Sequence, residues 1–220
     1  MNIPNDLTIL LSGVPCVGKT TTAYNLIKKY PAFRRVSELD IIRTVIRSVI
    51  KNLETKNVLS HEDLQSNYSA LFEALSEQDL SVSIEQSKLL LPYIADIVRR
   101  QQYRRMPSII EGSCIVPSTF FDQGNPKPGF ENNVYFINLY LSNIEEHIAR
   151  RIERCAERKK YEETTASREK IIRIRNTKNL QLHEDTLNLS MINNKVYSFD
   201  ISHMSQNEVI ENIIKIVSHD

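Results

Sequence analysis

The stretch TILLSGVPCVGKTTTAYNLIKKY, residues 8–30, limits the folds open to this chain more than any other. An apolar run, residues 7–11, stops at Ser12 and Gly13; a second glycine follows at Gly18, then Lys19, Thr20 and Thr21. The 220-residue chain has five glycines, so placing two of them here needs a reason. A short continuous apolar run suits a strand buried on both faces. Residues 20–29 read as a helix closed by Pro31. GVPCVGKT, residues 13–20, fits G-x-x-x-x-G-K-[ST], the phosphate-binding loop pattern. Gly13 and Gly18 permit backbone conformations that a β-carbon forbids, and a close approach to a polyphosphate. The main chain of Gly13, Val14, Pro15, Cys16, Val17 and Gly18 then curls around an anion at a helix N-terminus. Lys19 supplies a cation to the β and γ phosphates of a nucleoside triphosphate. Thr20 offers its hydroxyl to Mg²⁺, and Thr21 a bond to another phosphate. The bland alternative is a glycine turn before a helix, with Cys16 as a small space-filling residue.

Strands and helices alternate along the rest of the chain. Strand patterns cover residues 34–39, 108–111, 134–141 and 195–201, and helical spacing covers residues 40–53. Ser60/Asp63, Ser76/Asp79, Ser142/Glu145 and Ser205/Glu208 have the spacing of helix-opening capping boxes. One helix extends toward residue 105, bent or broken at Pro92, and another spans about residues 168–189. Residues 112–129 look too irregular for a regular element. The alternation predicts an α/β fold, an open parallel sheet of about five strands covered by helices on both faces. A single domain, 1–220, is expected, with a helical insertion at residues 53–105 and an arginine-bearing lid at residues 150–167.

Three further stretches bear on chemistry. SELDIIRTVIR, residues 37–47, puts Asp40 at the end of the second strand, the sheet edge that faces ligand in such folds. A carboxylate there can take a proton from an attacking hydroxyl and help hold Mg²⁺ through water. Asp40 as plain N-cap of the next helix is the compatible alternative. Arg43, one turn on, is placed to bind an anionic group of the acceptor. SIIEGSCIVP, residues 108–117, ends a strand with Glu111, a candidate metal-orienting acid, and Gly112, which leaves room for substrate; a simple turn is the rival reading. Arg150, Arg154 and Arg158 share one helical face and suit a lid closing over a developing phosphoryl charge. Glu146, Glu153 and Glu157 are interleaved with them, as on a solvated helix laced with ion pairs.

Composition narrows the classes. The net charge of +1 argues against nucleic-acid or membrane binding driven by charge alone, while leaving room for a short basic groove. The three cysteines have no metal-ligand spacing and read as reduced thiols of a cytoplasmic protein. No apolar run approaches the ~18 residues of a membrane span. NTKNL, residues 176–180, does not match the N-K-x-D base-reading motif of GTPases.

The loop, LDIIRTVIR and IIEGSCIVP together resemble the 2-phosphoglycerate kinase family, small P-loop kinases related to the nucleoside-monophosphate-kinase fold. The family patterns are S-T-D-x-I-R-E-x-x-R and I-I-E-G-x-H-x-x-P. The resemblance implies Mg-ATP-dependent phosphorylation of a small hydroxylated, anionic acceptor. On it, Lys19, Thr20 and Thr21 meet the nucleotide, Asp40, Arg43 and Arg47 face the acceptor, and Glu111 is the metal-side acid. The family's histidine is Cys114 here, and its Ser-Thr before the aspartate is Glu38-Leu39. A nucleoside, nucleotide or polynucleotide-end kinase is the nearest rival, and a nucleotide-dependent regulatory or toxin-like protein a rival of another class. Monomer and homodimer are both compatible with the sequence.

Overall fold

The computed structural model describes residues 2–73, 80–157 and 165–218. In chain order the elements are β1 (Thr8–Ser12), α1 (Lys19–Lys29), β2 (Arg35–Glu38), α2 (Leu39–Thr55), α3 (His61–Phe72) and α4 (Leu80–Tyr103). There follow β3 (Ser108–Glu111), a 3₁₀ turn (Pro117–Phe120), β4 (Phe121–Asp122), β5 (Asn125–Pro126) and β6 (Val134–Tyr140). The chain closes with α5 (Ile144–Glu157), α6 (Thr165–Ser190), β7 (Val196–Asp200) and α7 (Gln206–Val217). Five strands form one sheet in the order β2-β3-β1-β6-β7. Every pairing in it is parallel.

The sheet is buried on both faces, which explains the unbroken apolar runs of its central strands. Ile9, Leu11, Ile109, Tyr135 and Ile137 point to one face, where they meet Ala23 and Leu26 of α1 and Val209, Ile213 and Ile214 of α7. Leu10, Ile110, Val134 and Phe136 point to the other. There α2, α3 and α4 contribute Ile50, Leu64, Leu90 and Ile94, beside an aromatic group of Phe120, Phe121, Phe130 and Phe136. The strand period of two thus sorts side chains into two cores separated by one backbone layer.

Several sequence expectations are revised in detail. Pro92 neither ends nor interrupts α4, which is helical from Leu80 to Tyr103. Its missing N–H leaves the Lys88 carbonyl without its usual helical partner. Residues 112–129 contain the 3₁₀ turn and the small β4–β5 hairpin. The capping boxes at Ser60 and Ser205 are present. Ser142 is not a cap: the Asn143 side chain accepts from the Glu145 and Glu146 N–H groups and starts α5 instead. Nor is Asp40 the N-cap of α2, because Glu38 holds that position and Asp40 lies in the first turn. The Ser76/Asp79 pair and Arg158 lie outside the described residues, as does part of the expected lid.

Candidate functional site

At the carboxyl edge of the sheet, β1 runs into the loop and the loop into α1. Gly13 has φ 140°, and a β-carbon on it would lie 2.5 Å from the Leu139 carbonyl oxygen of β6. Only glycine lets the loop leave the strand this close to its neighbour. Gly18 has φ 94° in the left-handed region at the start of α1; a β-carbon there would make only ordinary contacts, 3.5 Å from Gln206 Nε2 and 3.8 Å from Arg150 Nη1, so backbone conformation rather than crowding sets its identity. Cys16 also adopts a positive φ, 74°, a conformation uncommon for a residue with a side chain. The loop is further held by His147 of α5, whose Nε2 lies 2.9 Å from the Pro15 carbonyl oxygen.

Lys19 folds back into this concavity. Its Nζ donates to the Val14 carbonyl at 3.2 Å and to the Ser113 hydroxyl at 3.1 Å, and the residue is 6% exposed. Burial lowers its pKa from the ordinary lysine value, and Glu111 and Asp40 partly offset that. Thr20 Oγ1 donates to Glu111 Oε1 at 2.8 Å. Burial raises the Glu111 pKa, opposed chiefly by the Lys19 charge and the Thr20 hydrogen bond. The loop borders a cleft of about 440 Å³, lined by Gly18, Lys19, Thr20 and Thr21 on one side. Arg150, Arg154 and Gln206 line the other side. Arg150 is paired with Glu146 and its Nη1 donates to the Val17 carbonyl at 3.4 Å.

Asp40 and Arg43, expected to face an acceptor, lie in the first turns of α2. Asp40 is near enough to Lys19, Glu111 and Cys114 to influence all three electrostatically. Arg43 Nη2 is 4.0 Å from Asp40 Oδ1, and Arg43 Nη1 donates to Gln86 Oε1 at 2.7 Å. The Arg43 Nε is buried with no hydrogen-bond partner. Arg47 lies instead over the Phe72 ring, 5.4 Å from its centroid, tied to the packing of α2 on α3. Gly112 does not leave room for substrate: a β-carbon there would lie 2.7 Å from Leu39 Cβ. Its smallness serves the close approach of the β2–α2 junction to β3. Cys114, buried behind Asp40 and Arg43, is pushed up to about 12 mainly by burial, so it is a neutral thiol at ordinary pH.

The residues present suit a magnesium–triphosphate ligand. A buried lysine next to a threonine hydroxyl and a carboxylate matches an anion accompanied by a hard cation. Among the described residues no group of three or more His, Cys, Asp or Glu side chains could by itself hold a metal. An ion here would thus draw its remaining ligands from phosphate and water, as Mg²⁺ commonly does. Ser113, Gln86, Gln206 and His147 were not singled out in the sequence. Ser113 lies within the IIEGSC stretch, while nothing in the local pattern points to Gln86.

The sheet order, the loop and the helix behind it give the chain the architecture of a P-loop α/β protein. No protein-family model matches the chain, and no curated protein matches it. Among solved structures, an uncharacterized protein from Eubacterium ventriosum is similar at 9% identity and TM-score 0.48, covering 98% of this chain and 99% of that one. The shikimate kinase from Acinetobacter baumannii, solved with shikimate, is similar at 13% identity and TM-score 0.46, covering 99% and 94%. The shikimate kinase from Bacteroides thetaiotaomicron is similar at 12% identity and TM-score 0.43, covering 96% and 98%. Likenesses this distant assign no activity to this chain.

Proposed function

We propose that the chain is a Mg-ATP-dependent kinase that transfers the γ-phosphate to a hydroxyl of a small anionic metabolite such as 2-phosphoglycerate. The observation that carries this reading is the buried Lys19 ammonium, hydrogen-bonded to the Val14 carbonyl of the loop and lining one cleft with Thr20, whose hydroxyl donates to Glu111. The loop main chain from Gly13 to Gly18, with Lys19 and Thr21, binds the triphosphate. Thr20 and Glu111 hold the magnesium, Asp40 assisting through water. The ion neutralises charge on the phosphate oxygens. Asp40 takes the proton of the acceptor hydroxyl, Arg43 binds the acceptor's anionic group, and Arg47 stays with the α2–α3 packing. Arg150 and Arg154, from the lid region, stabilise charge on the transferring group and exclude water. We further propose one domain with α3 and α4 as an insertion over the acceptor site. A cytoplasmic location accords with the two buried free thiols, Cys16 and Cys114.

The test is transfer of labelled γ-phosphate from ATP to a panel of hydroxylated acids, 2-phosphoglycerate included. Labelled product is expected from the wild-type chain. Lys19→Ala is expected to lower product formation on the order of 100-fold while the protein stays folded. Full turnover by that variant, or no labelled product from any acceptor, contradicts the reading.

A further inference from the structure

On the outward shoulder of α2, Ile41, Val45, Val49 and Leu53 recur every fourth residue, and they are 58%, 57%, 52% and 37% exposed. Val58, just beyond the helix, is 71% exposed. Ile42, Ile46 and Ile50 already supply the contacts of α2 with the core, about 100° around the helix. The outer row is therefore a second apolar face, left uncovered among the described residues. Large apolar residues on a solvated helix face do not help solubility, and the β-branched Ile41, Val45 and Val49 do not help helix propensity either, so a continuous row of them with Leu53 points to a cover.

The ends of the row indicate what the cover is. Glu38 is the N-cap residue and Lys56 the C-cap residue, and both fall on the line of the row. The pattern is symmetric about sequence position 47. In an antiparallel pairing of two α2 helices, Val45 meets Val49, Ile41 meets Leu53, and Glu38 meets Lys56 of the other copy. Each apolar residue thus finds an apolar partner and each end charge its opposite. That is the self-complementarity an isologous two-fold interface requires. At the shallow ~20° crossing common for antiparallel helices, the ends remain within reach of these long side chains. Tyr24, 51% exposed, widens the patch, and its hydroxyl donates to Glu38 Oε1 at 2.7 Å, orienting that carboxylate. A single helix face is a small interface, so the association is concentration-dependent.

We infer that the exposed apolar row of α2 is a homodimer interface, in which two copies pair antiparallel with Glu38 of each facing Lys56 of the other. The test is light scattering and sedimentation of the full chain up to about 100 µM, a range that reaches weak specific association. A monomer–dimer equilibrium is expected, abolished by Val45→Glu. Glu38→Lys alone and Lys56→Glu alone should each weaken self-association at least about tenfold, the scale of losing close opposite charges for like ones. Mixing these two variants should restore dimers, because the mixed pair regains both opposite-charge contacts. A wild-type chain that stays monomeric throughout overturns the inference. So does a dimer that survives Val45→Glu, or a mixture that associates no better than its components.

Discussion

At the residue scale, the site is a balance of buried charges. Lys19 and Glu111 are both removed from water, and each is perturbed toward its neutral form by that removal. A carboxyl whose folded-state pKa is raised contributes stability below its unfolded value, and that contribution is lost as pH rises through the folded value. Glu111 therefore opposes folding at neutral pH, and Glu111→Gln relieves the conflict. The variant should melt about 2–4 °C higher at pH 7, as a change of ~1 kcal/mol does in a chain of this length. The gain should shrink as pH falls toward the ordinary carboxylate range, while magnesium-dependent transfer drops. Thermal melts across that pH range check this; a variant no more stable than wild type at pH 7 contradicts it. The loop glycines, Lys19 and Thr20 were legible in the sequence because their spacing follows from the backbone geometry of the strand–loop–helix turn, with positive φ at Gly13 and Gly18. The purpose of Gly112 was not, because the neighbour it accommodates, Leu39, is the first residue of α2, far away in the sequence. Cys16 likewise shows its left-handed backbone only once the loop is folded.

At the element scale, the insertion helices are joined through one buried amide. Gln86 of α4 is fully buried and donates to the Ala70 and Glu73 carbonyls at 2.6 and 3.2 Å, near the end of α3. With its amide hydrogens committed there, Oε1 faces Arg43 of α2. Gln86 thereby holds the Arg43 guanidinium beside Asp40. Gln86→Leu should raise the acceptor KM about tenfold or more, the cost of freeing one charged hydrogen-bonding group, with little change in the KM for ATP. Gln86→Glu, which keeps an acceptor oxygen, should recover part of the loss. Equal effects on both substrates would reduce Gln86 to a packing role. None of this shows in the local sequence, since Arg43 and Gln86 are brought together only when α2, α3 and α4 pack. Element existence was far more readable. β3 and the boxes at Ser60 and Ser205 fall where pattern puts them, because strand alternation and cap chemistry act over a few residues. Asn143 displaced Ser142 as a cap because either side chain has the right chemistry, and only the path from β6 decides between them.

At the scale of the whole molecule, one parallel sheet separates two cores and carries every candidate site residue at or beyond its carboxyl edge. β1 and β3, adjacent in the sheet, place Lys19 next to Ser113 and Thr20 next to Glu111 across more than 90 residues of sequence. The alternation of elements announced such a sheet, but its strand order depends on long-range pairing that no local pattern encodes. On the proposed reading, the main chain of residues 13–20 cradles a triphosphate held by Lys19. Amide chemical shifts of an isotope-labelled chain, followed while ATP and magnesium are added, test it most directly. Saturable shifts concentrated at Val14, Cys16, Val17, Gly18, Lys19 and Thr20, and lost in Lys19→Ala, are the predicted result. Unmoved loop amides at saturating nucleotide, or shifts clustered elsewhere on the chain, would contradict the account.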